Sequence, residues 1–197
     1  MFVSFEGVDG SGKSTQAGLL AATLRAAGHE VIETREPGGT PLGEQVRAML
    51  LHGGDMTPWA EAALFAASRA QHVEEVIRPA LERGAWVVCD RYVDSSVVYQ
   101  GVVRGLGAEA VYELNRVVTR DLLPHRTFLL DLDAAASRAR QEGELDRIER
   151  EDDTFRTSVV DAYRELAARH RDRFVVLDAR VPAPELAETI REQLLGR

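Results

Sequence analysis

The chain has 197 residues, 45% hydrophobic and 28% charged, the composition of a single soluble globular domain that can bury an ordinary core. Twenty-four basic residues against 32 acidic ones give a net charge of −8. That balance argues against a protein that coats nucleic acid or an anionic membrane, and it confines phosphate recognition to a locally arranged site. Cys89 is the only cysteine, which rules out an intramolecular disulfide and a cysteine metal cluster.

Along the chain, short apolar runs of strand type alternate with Ala/Leu/Arg/Glu-rich stretches of helical spacing. Strands are expected at 2–5, 30–34, 86–89, 127–132 and 174–177. Helices are expected at 13–27, closed by Gly28, and near 42–51, 58–83, 108–120, 153–171 and 182–195. This alternation predicts an α/β fold, a three-layer sandwich of about five parallel strands with helices on both faces, in one domain spanning 1–197. Cys89, Trp59 and Trp86 read as packing residues. The mostly charged stretch 138–153 reads as an exposed, mobile excursion. No apolar run reaches the roughly 20 residues of a membrane span, and no basic leader precedes the first apolar segment, so a cytoplasmic location is expected.

Gly7, Val8, Asp9, Gly10, Ser11, Gly12, Lys13, Ser14 and Thr15 match G-x-x-x-x-G-K-[ST], between the first strand and the first helix. In such a loop the backbone N–H groups wrap phosphates and the helix N-terminus adds positive potential. Lys13 can reach the β- and γ-phosphates of a nucleotide, and the Ser14 hydroxyl can ligate Mg2+. The composition sharpens the reading: 23 of the 24 basic residues are arginine and Lys13 is the single lysine. An ammonium is a compact point charge where a guanidinium would crowd the loop. The lone asparagine, Asn115, precedes Arg116, so no N-K-x-D guanine-reading motif exists. A small-substrate kinase fits the chain length best, with a non-kinase P-loop ATPase switch as the alternative from another class.

Further segments resemble the thymidylate kinases, P-loop nucleoside monophosphate kinases. They are Phe5–Gly10, Thr34–Thr40, Leu64–His72, Asp90–Tyr92 followed by Ser95-Ser96 and Tyr99–Gly101, and Gly143–Glu149, with a shorter match at Asp178–Arg180. The resemblance implies transfer of the γ-phosphoryl group of ATP to dTMP with Mg2+. A kinase of another nucleotide or deoxynucleoside on the same fold remains the nearer alternative. Residue by residue it places Glu36 and Pro37 in the dTMP site, Phe65 stacked on thymine, and Arg69 donating to a thymine carbonyl. Phe65 and Arg69 are four apart on a helix and so share a face. Ser96 and Gln100 are both candidates near thymine N3. Tyr99 matches the residue packed where a 2′-hydroxyl would sit, and Asp9 a carboxylate near the acceptor's 3′-hydroxyl and phosphate. Asp90, at a strand end beside the P-loop, can hold Mg2+ through water, and Arg91 can fork onto a phosphate. Arg180 falls in the adenine loop. Family members are commonly homodimers, for which the 58–83 helix is a candidate surface.

The family supplies its catalytic arginine either from the P-loop, at the position of Gly10, or from the lid. Gly10 implies the lid version. Arg138, Arg140, Arg147 and Arg150 are the candidates, with Arg147 first because it lies in the best-matched stretch. Arg138 is expected on the ATP side. Lid closure would exclude water and bring the arginine to the transferring phosphoryl.

Overall fold

The computed structural model describes residues 1–141 and 146–196. Five parallel strands form one sheet: β1 (Phe2–Glu6), β2 (Val31–Arg35), β3 (Trp86–Asp90), β4 (Arg126–Asp131) and β5 (Phe174–Asp178), in the order β2-β3-β1-β4-β5. All five residues of β1 are buried, as expected of a central strand. Val3 and Phe5 join one core with Leu20, Leu24, Val88, Phe128 and Ile190, while Phe2 joins a second with Val73, Ile77, Val87, Cys89 and Tyr92. Fully burying each such side chain contributes about 1.5–3 kcal/mol.

Helices α1 (Lys13–Ala26) and α9 (Ala183–Leu195) pack on one another. Helices α2 (Pro41–His52), α3 (Pro58–His72), α6 (Ala108–Thr119) and α8 (Asp153–Arg169) complete the covering layers. The expected 58–83 helix is α3 running through a π-helical turn (Val73–Ile77) into α4 (Arg78–Glu82). Two helical stretches escaped the sequence reading. One follows β3: α5 (Val93–Ser96) and a π-helical segment, Val97–Val103. The other is the short α7 (Ala134–Ala139), leading into the charged stretch. Trp86 is partly buried against the first core, but Trp59 is 51% exposed on the first turn of α3 and is not a packing residue.

Phe5 aligns with Asp90 of β3 on one side and with Phe128 of β4 on the other. The chain runs outward in both directions from β1. A crevice therefore opens where the carboxyl ends of β1 and β3 meet, the usual ligand position in an open parallel sheet. The P-loop follows β1 and Asp90–Arg91 follow β3, so both sequence motifs meet there.

Candidate active site

The P-loop turns into α1 at Gly12, whose φ of 92° lies in the left-handed region that glycine tolerates. Glycine also leaves α1 without a side-chain cap, whereas Thr40, Thr57, Asp133 and Asp152 cap α2, α3, α7 and α8. The leading N–H groups of α1 thus stay open to an anion, reinforced by the helix dipole. The buried Lys13 ammonium donates to the Val8 carbonyl at 2.8 Å and lies 3.7 Å from Asp9. Burial, then the charge of Arg91, lowers its pKa, while Asp9, Asp90 and Glu6 oppose the shift.

Arg91 has φ +68°, unusual for a side-chain-bearing residue, and its N–H is held by the Phe5 carbonyl at 2.9 Å. Its guanidinium donates to Asp9 at 2.6 Å, Ser95 Oγ at 3.1 Å and the Tyr163 hydroxyl at 3.3 Å, and lies 5.3 Å over the Tyr99 ring. Beneath it, buried Glu6 accepts from Ser95 Oγ at 2.6 Å, the Tyr163 hydroxyl at 2.8 Å and the Tyr92 N–H at 2.8 Å. Hydroxyls that spend their protons on Glu6 turn lone pairs toward Arg91, so Glu6 braces the arginine at one remove. Burial, then Asp94, raises the Glu6 pKa to about 7. Burial pushes the other way at Asp9 from Arg91 and Lys13, which outweigh it and hold Asp9 well below the usual carboxylate range.

Two hollows share this centre. One, of about 530 Å3, is floored by the P-loop and bordered by Asp90, Arg35 and Arg140. The other, of about 150 Å3, is lined by Pro37, Phe65, Tyr99 and Gln100 among others. Asp9, Glu36, Arg47, Arg91 and Glu149 border both. Arg47 and Glu149 had no role in the sequence reading, nor did Ser95, Tyr163 or Glu6 as a brace. Glu6, Ser95 and Glu149 lie in matched segments; Arg47 does not, and Tyr163 sits at an ordinary core spacing of α8, which gives no signal.

Two expected base contacts lie elsewhere. Arg69 is 1% exposed and donates to Glu36 at 2.6 Å, Ser96 at 3.0 Å, the Tyr92 carbonyl at 3.2 Å and Asn115 Oδ1. Neither Arg69 nor Ser96 borders the smaller hollow, which Gln100 does. Glu36 is fixed from its other side by His72 Nδ1 at 2.9 Å.

The lid candidates also separate. Residues 142–145, with the first half of the Gly143–Glu149 match, lie outside the described residues. Arg147 is turned away from the P-loop: it donates to Glu61 at 2.7 Å and to the Leu50 carbonyl at 2.9 Å, and its N–H to the Leu51 carbonyl at 3.0 Å. It does not border the P-loop hollow, unlike the expected catalytic placement, because buried Glu61 and the open carbonyls ending α2 (Pro41–His52) hold it. Arg140 instead borders the P-loop cleft, donating to the Ala179 carbonyl at 2.9 Å. Gly10 has φ +76°, and a Cβ there would lie 3.0 Å from the Ser137 carbonyl oxygen and 3.1 Å from Arg140 Cβ. The end of α7 (Ala134–Ala139) thus occupies the space a P-loop arginine would need. Arg138 pairs with Asp153 at 2.8 Å on the outer surface, and Arg180 with Asp178 at 2.9 Å beyond β5 (Phe174–Asp178).

Comparison with known proteins agrees with this geometry. A family model described as Thymidylate kinase matches residues 5–190. The chain is 53% identical over 184 residues to a thymidylate kinase of Bifidobacterium longum, covering 91% of this chain and 89% of that one. It is 50% identical over 195 residues to one of Clavibacter michiganensis, covering 97% and 92%. The crystal structure of thymidylate kinase from Ehrlichia chaffeensis superposes with a TM-score of 0.78 at 32% identity, covering 96% of this chain and 98% of that one. With the P-loop, the strained Arg91 and the paired hollows on one sheet edge, these matches show that the chain belongs to the thymidylate kinase family.

Proposed function

We propose that the larger hollow takes ATP and the smaller takes dTMP, and that the γ-phosphoryl group passes between them to give ADP and dTDP. The observation that carries this reading is the set Asp9, Glu36, Arg47, Arg91 and Glu149, which borders both hollows. Phosphoryl transfer needs donor and acceptor anions held close together, with cations where charge spreads over the equatorial oxygens.

Lys13 and the open N–H groups of α1 (Lys13–Ala26) hold the β- and γ-phosphates. Arg91 leaves Asp9 to fork onto the acceptor phosphate and keeps its brace from Ser95 and Tyr163. An acceptor phosphate oxygen forms the new bond to the γ-phosphorus as the bridging oxygen departs with ADP. Asp9 stays ionised at neutral pH, so it orients Arg91 and Lys13 and does not serve as a proton donor. Arg140 is the lid arginine placed to meet the transferring group. In the acceptor hollow Phe65 and Pro37 supply apolar surface, Tyr99 faces the sugar, and Gln100 meets the base, while Arg69 stays with Glu36 and Ser96 behind the wall.

A metal fits beside Ser14. Its hydroxyl donates to Asp90 Oδ2, and Asp90 Oδ1 is buried with no hydrogen-bond partner among the described residues. Hydroxyl and carboxylate oxygens suit a hard cation such as Mg2+, which would neutralise phosphate charge when bound. The protein acts in the cytoplasm in this reading, and no described helix is long and apolar enough to cross a membrane. It pairs as a homodimer through α2 and α3, where Met49 and Trp59 are about half exposed; light scattering tests this.

A coupled assay of ADP release against dTMP, dUMP, dCMP, AMP and thymidine tests the whole assignment. Release fastest with dTMP is expected. Release that ignores the acceptor would make the protein a hydrolase, and preference for AMP or thymidine would move it to another kinase activity.

A further inference from the structure

Glu61 lies on α3 (Pro58–His72), one turn before Phe65, and is 2% exposed. One carboxylate oxygen accepts from Gln100 Nε2 at 2.8 Å and from Arg104 Nε at 3.5 Å, and the other from Arg147 Nη2 at 2.7 Å. Gln100 itself is 1% exposed and borders the acceptor hollow, whereas Glu61 does not. The two ends of a glutamine amide have opposite hydrogen-bonding character, and their orientation is set by neighbours. An ionised carboxylate only accepts, so it draws the NH2 end of Gln100 toward itself and leaves the carbonyl oxygen for the hollow.

We propose that Glu61 is a positioning residue that fixes the amide polarity of Gln100, so that the acceptor hollow presents a hydrogen-bond acceptor to the base and selects pyrimidines carrying a ring N–H, as thymine does at N3, over cytosine, whose N3 is an acceptor. This rests on the smaller hollow being the dTMP site. It assigns the base edge to Gln100 and leaves Ser96 to Arg69. Arg104 and Arg147 give Glu61 its second task. They neutralise it, so the carboxylate that orients Gln100 also holds Arg147 of the 138–153 stretch.

The variant Glu61→Gln exposes the mechanism. Its single carbonyl oxygen is claimed by Arg147, since hydrogen bonds from a charged donor are the stronger ones. Its NH2 then faces Gln100, whose amide must turn over. Equilibrium binding by calorimetry is the readout, which keeps lid effects on turnover apart. Wild type is expected to bind dTMP at least about tenfold more tightly than dCMP or N3-methyl-dTMP, and Glu61→Gln to shrink the dTMP-to-dCMP preference by about tenfold or more. The double variant Glu61→Gln/Gln100→Glu puts a carboxylate oxygen back at the hollow and is expected to restore the preference. Equal weakening of dTMP and dCMP in Glu61→Gln, or an unrestored preference in the folded double variant, would reduce Glu61 to a structural residue. Equal binding of N3-methyl-dTMP and dTMP by wild type overturns the proposal without any variant having to fold. Wild type that does not bind dTMP overturns the acceptor assignment instead.

Discussion

Glu6 is where stability and function pull in opposite directions, and the conflict can be measured. Its carboxyl is completely buried at the end of β1 (Phe2–Glu6), and burial with the nearby charge of Asp94 raises its pKa from 4.5 to about 7. A carboxyl with a raised folded-state pKa keeps its proton in the folded protein at pH values where the unfolded chain has lost it. Its contribution is therefore fully present below pH 4.5 and is lost as pH rises toward about 7. At about 1.4 kcal/mol per pH unit the whole loss comes to about 3 kcal/mol. The assay is urea unfolding of wild type and Glu6→Gln at pH 5, 6, 7 and 8. The variant keeps only one of the two oxygens that accept from the Tyr92 N–H and from the Ser95 and Tyr163 hydroxyls, so it is less stable at pH 5. Its stability should then fall less than that of wild type up to pH 8, the gap closing by about 3 kcal/mol. Parallel curves for the two proteins would refute the titration of Glu6 in this range. Above about pH 7 the ionised carboxyl accepts from both hydroxyls that hold Arg91, whereas the protonated form would compete with Arg91 for their oxygens.

Lys13→Ala should remain folded and lose about 10²- to 10³-fold in kcat, the usual effect of removing a charge aimed at the transition state; near-normal turnover in a folded variant would remove the P-loop from catalysis. Arg140→Ala should lower kcat far more than it raises the KM for dTMP, because the side chain borders the phosphate cleft, whereas Arg147→Ala should act mainly on KM through Glu61. The opposite split in steady-state kinetics would mean that Arg147 swings to the transferring phosphoryl. Tyr99→Ala should reduce the preference for dTMP over ribothymidine 5′-monophosphate by about 10- to 200-fold in kcat/KM; an unchanged ratio would leave the ring, which also contacts Phe155 and Tyr163, as a packing residue.

The strand and helix pattern was legible because both periodicities were clean. Val3, Phe5 and Val88 had to be buried, and Gly28 had to end a helix. The P-loop was legible because its chemistry is local: nine consecutive residues carry the turn, the charge and the metal oxygen. The acceptor side was legible as a set of segments but not as contacts. Phe65 and Arg69 share a helix face by spacing, yet the structure commits Arg69 to Glu36, Ser96 and Asn115, partners 33, 27 and 46 residues away. Helical spacing cannot say whether a shared face looks into a hollow or into a polar core. The lid failed for a related reason. Charge density marked 138–153 as exposed, but the position of each arginine depends on which acceptor captures it, and Glu61 and Ala179 are remote in sequence.

The partners of the cleft's cations suggest how a protein of net charge −8 binds two polyanions. Arg47 donates to the Pro37 carbonyl and Arg140 to that of Ala179. Each is a neutral acceptor. A cation held by a carbonyl is oriented without being neutralised, and it exchanges that bond for a charge-assisted one when phosphate arrives. The carboxylate-bound cations of the outer surface, such as Arg138 on Asp153 and Arg180 on Asp178, have no such charge to offer. Arg91 is the intermediate case, paired with Asp9 yet braced by two hydroxyls. In the proposed transfer it turns to the acceptor phosphate and gives up a carboxylate that still has Lys13 at 3.7 Å. The partly exposed charge on Asp9 therefore keeps a partner throughout, and the cleft can exchange ligands without leaving a bare carboxylate.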